Sequence, residues 1–223
     1  MEINVNIIAR IHTDFKEKFG IPRQSGLCST KAVIEFEPRY RDNLTVRGLE
    51  DFSHIWLIWQ FSENVQKEYT PTVRPPRLGG NTRMGVFATR SPFRPNPLGL
   101  SCVKLIKIDT ECENAPLIYV EGADMLDGTP IYDIKPYLPH ADCIPDASGG
   151  FSTDVVDNDI EVIIPDGIEC DRLCEIKQLL SQDPRPAYHN DERMYGMSYG
   201  GYEISFYVKD GKLYVDKITE KKN

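Results

Sequence analysis

Apolar residues are densest at Phe52–Phe61 (FSHIWLIWQF), where Ile55, Trp56, Leu57, Ile58, Trp59 and Phe61 crowd together between polar flanks. So short a run predicts a strand, either buried on both faces or placed at a subunit interface. Further strands are predicted at Asn4–Ile11, Val33–Phe36, Met84–Ala88, Leu100–Ile108, Leu117–Gly122 and Pro130–Ile134. Lys16 to Gly26 is polar and punctuated by Gly20, Pro22 and Gly26, which reads as a loop. Tyr40–Asn43 is a polar turn, and Val46–Phe52 suits a single helical turn. No amphipathic helix pattern stands before residue 165. Short strands separated by Gly/Pro turns predict an all-β core, and a closed or half-open barrel is the arrangement that best manages strand edges.

The pattern changes further on. Pro139–Asp159 is acidic, rich in small residues and broken by Pro145, Gly149 and Gly150, so it reads as a linker. Beyond it a strand is predicted at Glu161–Ile164. A helix is predicted over Ile168–Leu180, with Leu173, Ile176, Leu179 and Leu180 on one side. Asp183–Ser198 is a polar loop. Tyr202–Val208 and Leu213–Ile218, joined through Asp210-Gly211, form a hairpin of the Asp-Gly type. The expected fold class is mainly β: a β-barrel-like N-terminal domain over residues 1–150 and a small α+β C-terminal domain over residues 157–223.

Composition narrows the picture. A chain of 223 residues with 40% apolar and 27% charged residues can bury a core of its own. The six cysteines are scattered, which favours reduced thiols and a cytoplasmic setting. The N-terminal residues do not read as a signal peptide, and no apolar run approaches the length of a membrane span. The net charge of -8 opposes general coating of polyanions, so any RNA partner needs a local basic patch.

One such patch exists. Residues 74–100 (RPPRLGGNTRMGVFATRSPFRPNPLGL) carry Arg74, Arg77, Arg83, Arg90 and Arg94, and no Asp or Glu occurs from Tyr69 to Ile108. A guanidinium binds phosphate or carboxylate through two hydrogen bonds at once. The prolines and glycines of the stretch imply shaped loops, the usual carriers of function. Common cofactor motifs are absent: there is no G-x-G-x-x-G, no P-loop and no nucleophile elbow. Cys170 and Cys174 do not complete a zinc site and the four histidines show no ligand spacing, so no metal is expected. His54 reads as structural. Asp127-Gly128-Thr129-Pro130 is a turn signal.

The stretch RPPRLGGNTRMGVFATRSPFRPNPLGLS, followed by DMLDGTPIYDIKPYLP and later by DPRPAY at Asp183–Tyr188, resembles the TsaA/TrmO (YaeB-like) family. Characterised members are S-adenosylmethionine-dependent tRNA methyltransferases. The resemblance is strong over roughly residues 5 to 148 and thinner beyond. It implies a β-barrel that binds its cofactor without a doubly wound sheet. It also implies a homodimer, and methylation of N6 on the threonylcarbamoylated adenosine 3′ of the anticodon in tRNA. The matching cofactor positions are Pro22, Arg23 and Gln24, then Ser62 and Glu63, then Arg90, Leu100 and the turn Asp127, Gly128, Thr129 and Pro130. At Ser62-Glu63 the chain departs from relatives, which often carry a histidine there. Arg74, Arg77, Arg83 and Arg94 fit RNA phosphates. On the Asp183–Tyr188 loop, Arg185 suits a phosphate and Tyr188 a stacked base.

Asn96 is the candidate catalytic residue. The lone pair of an adenine amine is delocalised into the ring, and an amide oxygen accepting its N–H would localise it toward the methyl group. Two rival readings use fewer of these residues. A non-catalytic anion- or RNA-binding module needs only the Arg74–Arg94 patch, and a hydrolase on a small anion needs no cofactor.

Overall fold

Strands that bury every second side chain must place that face against another layer or close on themselves. The computed structural model describes residues 3–64, 69–75, 78, 81–155, 159–186 and 192–221. It contains β1 (Ala9–Thr13), β2 (Lys31–Phe36), β3 (His54–Gln60), β4 (Thr72–Val73), β5 (Met84–Gly85), β6 (Leu98–Asp109), β7 (Leu117–Glu121) and β8 (Thr129–Pro136). Six of these close into a barrel in the order β1-β2-β7-β6-β3-β8, with every pairing antiparallel. The expected barrel is therefore present. Ile11, Ile34, Ile55, Leu57, Ile118 and Ile131 are fully buried at its centre.

The most apolar run is buried on one face only. Ile55, Leu57 and Trp59 of β3 point inward, while His54, Trp56, Ile58 and Gln60 face outward and are half-buried. Other boundaries shift. The strand expected from Asn4 begins at Ala9, because only Ala9, Ile11 and Thr13 alternate into the core. The strand expected over Met84–Ala88 shrinks to β5, which pairs with β4, and gives way to a 3-10 turn at Val86–Ala88. Val46–Phe52, expected as one helical turn, holds a 3-10 turn at Leu49–Asp51, and Val46 ends a separate one at Asn43–Val46.

The chain continues through α1 (Pro139–Asp142), β9 (Glu161–Ile163), α2 (Leu173–Ser181), β10 (Tyr195–Tyr199), β11 (Tyr202–Lys209) and β12 (Lys212–Glu220). The second sheet runs β10-β11-β12-β9, with β9 parallel to β12. Asp210 and Gly211 both take positive φ, at 49° and 74°, as a two-residue hairpin of this hand requires. α2 starts later than its apolar pattern suggested, and Ile176, Leu179 and Leu180 bury its inner face. β10 lies where a polar loop was expected. Its Tyr195, Met197 and Tyr199 alternate with Gly196 and Ser198, and the small residues hid the strand period. Among the described residues no helix is long and apolar enough to cross a membrane.

The β1–β2 connection ties the two cores together. Phe15 and Cys28 are buried in the core of the second sheet, and the Phe15 ring lies 5.1 Å from that of Tyr199. Gly20, at φ 92°, passes so close to Met197 that a Cβ would overlap its thioether. The back of this connection belongs to one core, and its front faces the groove between the two.

Candidate active site

That groove is an open cleft of about 2460 Å³. Sites for one small molecule run to roughly 300–1,000 Å³, so this one has room for a cofactor and part of a larger substrate. Pro22–Gln24 of the β1–β2 connection line it, together with residues from Arg83 to Asn96, Asp124–Leu126 after β7, and Asp183, Arg185 and Pro186. Phe151 and Ser152, from the stretch expected to be a plain linker, line it too.

The arginine loop is held by its own short side chains. Val86 N–H donates to the Pro71 carbonyl at 3.0 Å. The Thr89 hydroxyl donates to the Val86 carbonyl at 2.9 Å and accepts from Ser91 N–H at 3.2 Å. Phe93 N–H donates to Ser91 Oγ at 3.2 Å, and the Arg94 guanidinium donates to the Thr89 carbonyl at 3.1 Å. The Pro97 carbonyl accepts from Phe61 N–H at 2.9 Å, which pins the loop to the end of β3. Asn96 stands exposed on the rim, and its side-chain amide makes no hydrogen bond among the described residues.

The floor carries a polar relay. Trp59 Nε1–H donates to Ser101 Oγ at 2.9 Å, and the Ser101 hydroxyl donates to Asp124 Oδ1 at 2.6 Å. Burial raises the Asp124 carboxyl above the ordinary value, against the opposing pull of the Ser101 hydroxyl, its own amide, the Arg90 guanidinium and the Ser25 amide. Arg90 donates to the Gln24 side-chain carbonyl, so the arginine loop meets the β1–β2 connection within electrostatic reach of this acid. Leu98 and Leu100, 43% and 54% exposed, present apolar surface on the outer side of β6. Packing here is tight: a Cβ at Gly99 would sit inside the Trp59 indole.

The structure thus gathers Pro22, Arg23, Gln24, Ser62, Glu63, Arg90, Asn96, Leu100 and Thr129 around one cleft. It does not bring the rest of the 127–130 turn to it. The Asp127 carboxylate turns toward β1, accepting from Thr13 N–H at 3.1 Å and Lys16 Nζ at 2.7 Å, with His12 Nδ1 at 3.5 Å. Burial raises this carboxyl, but Lys16, the Thr13 amide and His12 together hold it below the usual carboxylate range. The Gly128 carbonyl accepts from Arg10, and Pro130 is buried in the β1–β8 pairing. Asp124 is the acid that sequence reasoning missed. Its signal was a lone carboxylate between apolar neighbours in Ala123-Asp124-Met125.

Among the arginines read as phosphate ligands, Arg74 and Arg83 are exposed on the cleft wall, and Arg83 donates to Thr72 Oγ1 at 3.3 Å. Arg94 is committed to its own loop. Arg185 is clasped by Asp183 through two bonds of 2.8 Å, so its charge is locally matched. The carbonyls of Asp183 and Arg185 accept from Arg23. Arg77 and Tyr188 lie outside the described residues.

Residues 10–143 match the family model for the tRNA-methyltransferase O N-terminal domain, and residues 171–221 match the TrmO C-terminal domain. The chain belongs to the TrmO family. It is 42% identical over 214 residues to a tRNA (adenine(37)-N6)-methyltransferase of Escherichia coli (strain K12), covering 91% of this chain and 90% of the relative. A protein of the same name from Eikenella corrodens is 46% identical over 173 residues, covering 75% of this chain and 97% of the relative. The crystal structure of TrmO from Pseudomonas aeruginosa superposes with a TM-score of 0.76 at 30% identity, covering 98% of this chain and 100% of the other.

Proposed function

We propose that this TrmO-family chain is an S-adenosylmethionine-dependent tRNA methyltransferase acting on N6 of the threonylcarbamoylated adenosine 3′ of the anticodon. The observation that carries this reading is the cleft, which joins an acid-free arginine wall to a floor with the half-buried Asp124 carboxylate. The donor set suits the cofactor. Arg90 matches its carboxylate and Asp124 its ammonium, while Leu98 and Leu100 offer apolar surface for the adenine. Pro22, Arg23, Gln24, Ser62, Glu63 and Thr129 complete the cofactor wall. When bound, S-adenosylmethionine supplies a methyl group on a positively charged sulfur, activated for in-line displacement.

The chain's own contribution is positioning. The side-chain oxygen of Asn96 accepts the N6 proton's hydrogen bond and turns the nitrogen lone pair toward the methyl group. Pro95 and Pro97 fix the backbone on either side of Asn96. Arg74 and Arg83 hold RNA phosphates, and Arg185 acts as a clasp between Asp183 and the β1–β2 connection. A second copy of the chain covers the half-buried outer face of β3, where Trp56 and Ile58 adjoin the exposed Leu98 and Leu100. Residues 1–150 and 157–223 act as the cofactor and accessory units of one cytoplasmic enzyme. The rival binding-module reading gains no support from relatives named as methyltransferases.

The test is calorimetric titration of the protein with S-adenosylmethionine, followed by transfer of labelled methyl groups to threonylcarbamoylated and unmodified tRNA. Saturable binding and transfer to the modified tRNA are expected. Transfer to neither tRNA by cofactor-saturated protein would sink the proposal.

A further inference from the structure

The loop that carries the arginines also holds two phenylalanines in solvent, and no role assigned so far uses them. Phe87 is 74% exposed and Phe93 is 38% exposed, and both line the cleft. Single exposed apolar residues are common on surfaces, but a flexible loop lets such a ring fold back. Here it cannot. Phe87 is the middle residue of the 3-10 turn Val86–Ala88, and Val86 beside it is buried at 2% exposure. The turn is fastened on both sides, by Val86 N–H on the Pro71 carbonyl and by the Thr89 hydroxyl on the Val86 carbonyl. The Ser91 and Phe93 amides, each held by a hydroxyl, extend the same rigid path to Phe93.

An apolar ring carried in water on a held backbone costs little backbone ordering when a ligand with an apolar face binds. The surroundings say which. Arg83, Arg90 and Arg94 are interleaved with the two rings, and no acid occurs from Tyr69 to Ile108. Flat aromatic surface alternating with cations matches single-stranded nucleic acid, whose bases stack while its phosphates pair.

We propose that Phe87, with Phe93, is a stacking platform for an unpaired nucleobase of the RNA substrate, Arg83 of the same loop holding a flanking phosphate. This rests on the tRNA-methyltransferase reading and adds how that enzyme selects single-stranded loop over duplex. A base in a helix has no free face to offer, whereas a base splayed from a loop does. Phe87 contributes no charge, so its share of the affinity is independent of salt, unlike that of the arginines.

The experiment measures anisotropy of a labelled anticodon stem–loop, and of a duplex RNA of equal length, across a salt series. Wild type is compared with Phe87→Ala, Phe87→Leu, Phe87→Tyr and Arg83→Ala. Phe87→Ala is expected to weaken stem–loop binding by about tenfold with an unchanged salt slope. Phe87→Tyr restores the affinity, Phe87→Leu does not, and duplex binding is the same in all three. Arg83→Ala instead lowers the salt slope by about one. Wild-type affinity in Phe87→Ala, or full restoration by Phe87→Leu, overturns the proposal. So does a fall from dimer to monomer in light scattering, which assigns the ring to a contact between copies, and so does loss of S-adenosylmethionine binding. If Phe87→Ala fails to fold, the comparison of Phe87→Leu with Phe87→Tyr decides alone. Wild-type protein that methylates tRNA while its Phe87 variants bind normally refutes the platform only. Wild type that neither binds nor methylates RNA refutes the enzyme reading as well.

Discussion

Asp124 and Asp127 lie close in the chain and respond to the fold in opposite ways. Burial raises Asp124 above its ordinary value, whereas Lys16, Thr13 and His12 outweigh burial at Asp127 and lower it. A carboxyl raised by the fold ionises more readily when unfolded. It costs stability as pH rises through the window above its unfolded value of about 3.9, and costs nothing below it. Asp124→Asn is therefore expected to leave the melting temperature at pH 7 unchanged or higher, while S-adenosylmethionine affinity falls about tenfold. A lower melting temperature with intact affinity would make Asp124 a strut. Asp127 has the reverse sign: it stabilises above about pH 3.9 and loses that contribution as pH falls through its lowered folded value. Asp127→Asn should lower the melting temperature at pH 7 and flatten the acid limb of the stability curve, with cofactor affinity retained. At Asn96 the expectation concerns rate. Asn96→Ala should keep cofactor binding and slow methyl transfer by about a hundredfold in single-turnover assays, and full activity would remove Asn96 from the mechanism.

At the scale of elements, the site depends on where three connections leave the barrel. β6 brings Leu98 and Leu100 to the cleft, with Ser101 buried beneath, because Gly99 lets the strand lie flat on Trp59. Gly99→Ala should push the indole aside and break the Trp59–Ser101–Asp124 relay. The expected result is about 1–3 kcal/mol of lost stability, together with weaker cofactor binding. Denaturant unfolding and calorimetry check the two parts, and a change in neither would show that the indole yields at no cost. Long apolar or alternating runs such as those of β3, β6, β7, β8 and β11 were legible because each buries a face of its own. β10 was not, because small residues masked its period, and β5 was legible only in part, because a tight turn ends it after two residues of the five expected.

At the scale of the molecule, the β1–β2 connection couples two cores. Phe15 and Cys28 are buried beneath the second sheet, and Arg23 donates to the carbonyls of Asp183 and Arg185. A chain ending at residue 150 would leave those anchors in water. Such a chain should bind S-adenosylmethionine much more weakly than the full protein, with faster amide exchange across residues 14–28. Unchanged affinity would show that the barrel orders Pro22–Gln24 by itself. The arginine loop behaves differently, because its hydrogen bonds are nearly all internal or to the barrel end.

The sequence by itself determined the all-β barrel, the helix-bearing second unit, the Asp-Gly hairpin and the acid-free arginine loop. Each is written in local terms, as periodicity, turn chemistry or charge along a continuous stretch. It also determined the family, through motifs long enough to be specific. Only the tertiary structure decided which acid faces the cleft. Asp124 and Asp127 are equally polar in sequence, and the choice is made by partners distant in the chain: Ser101 and Arg90 for one, Thr13 and Lys16 for the other. The same holds for the arginines. Their charges are identical in sequence, but the folded loops leave Arg74 and Arg83 facing solvent, turn Arg94 back onto the Thr89 carbonyl of its own loop and clasp Arg185 to Asp183 two residues before it.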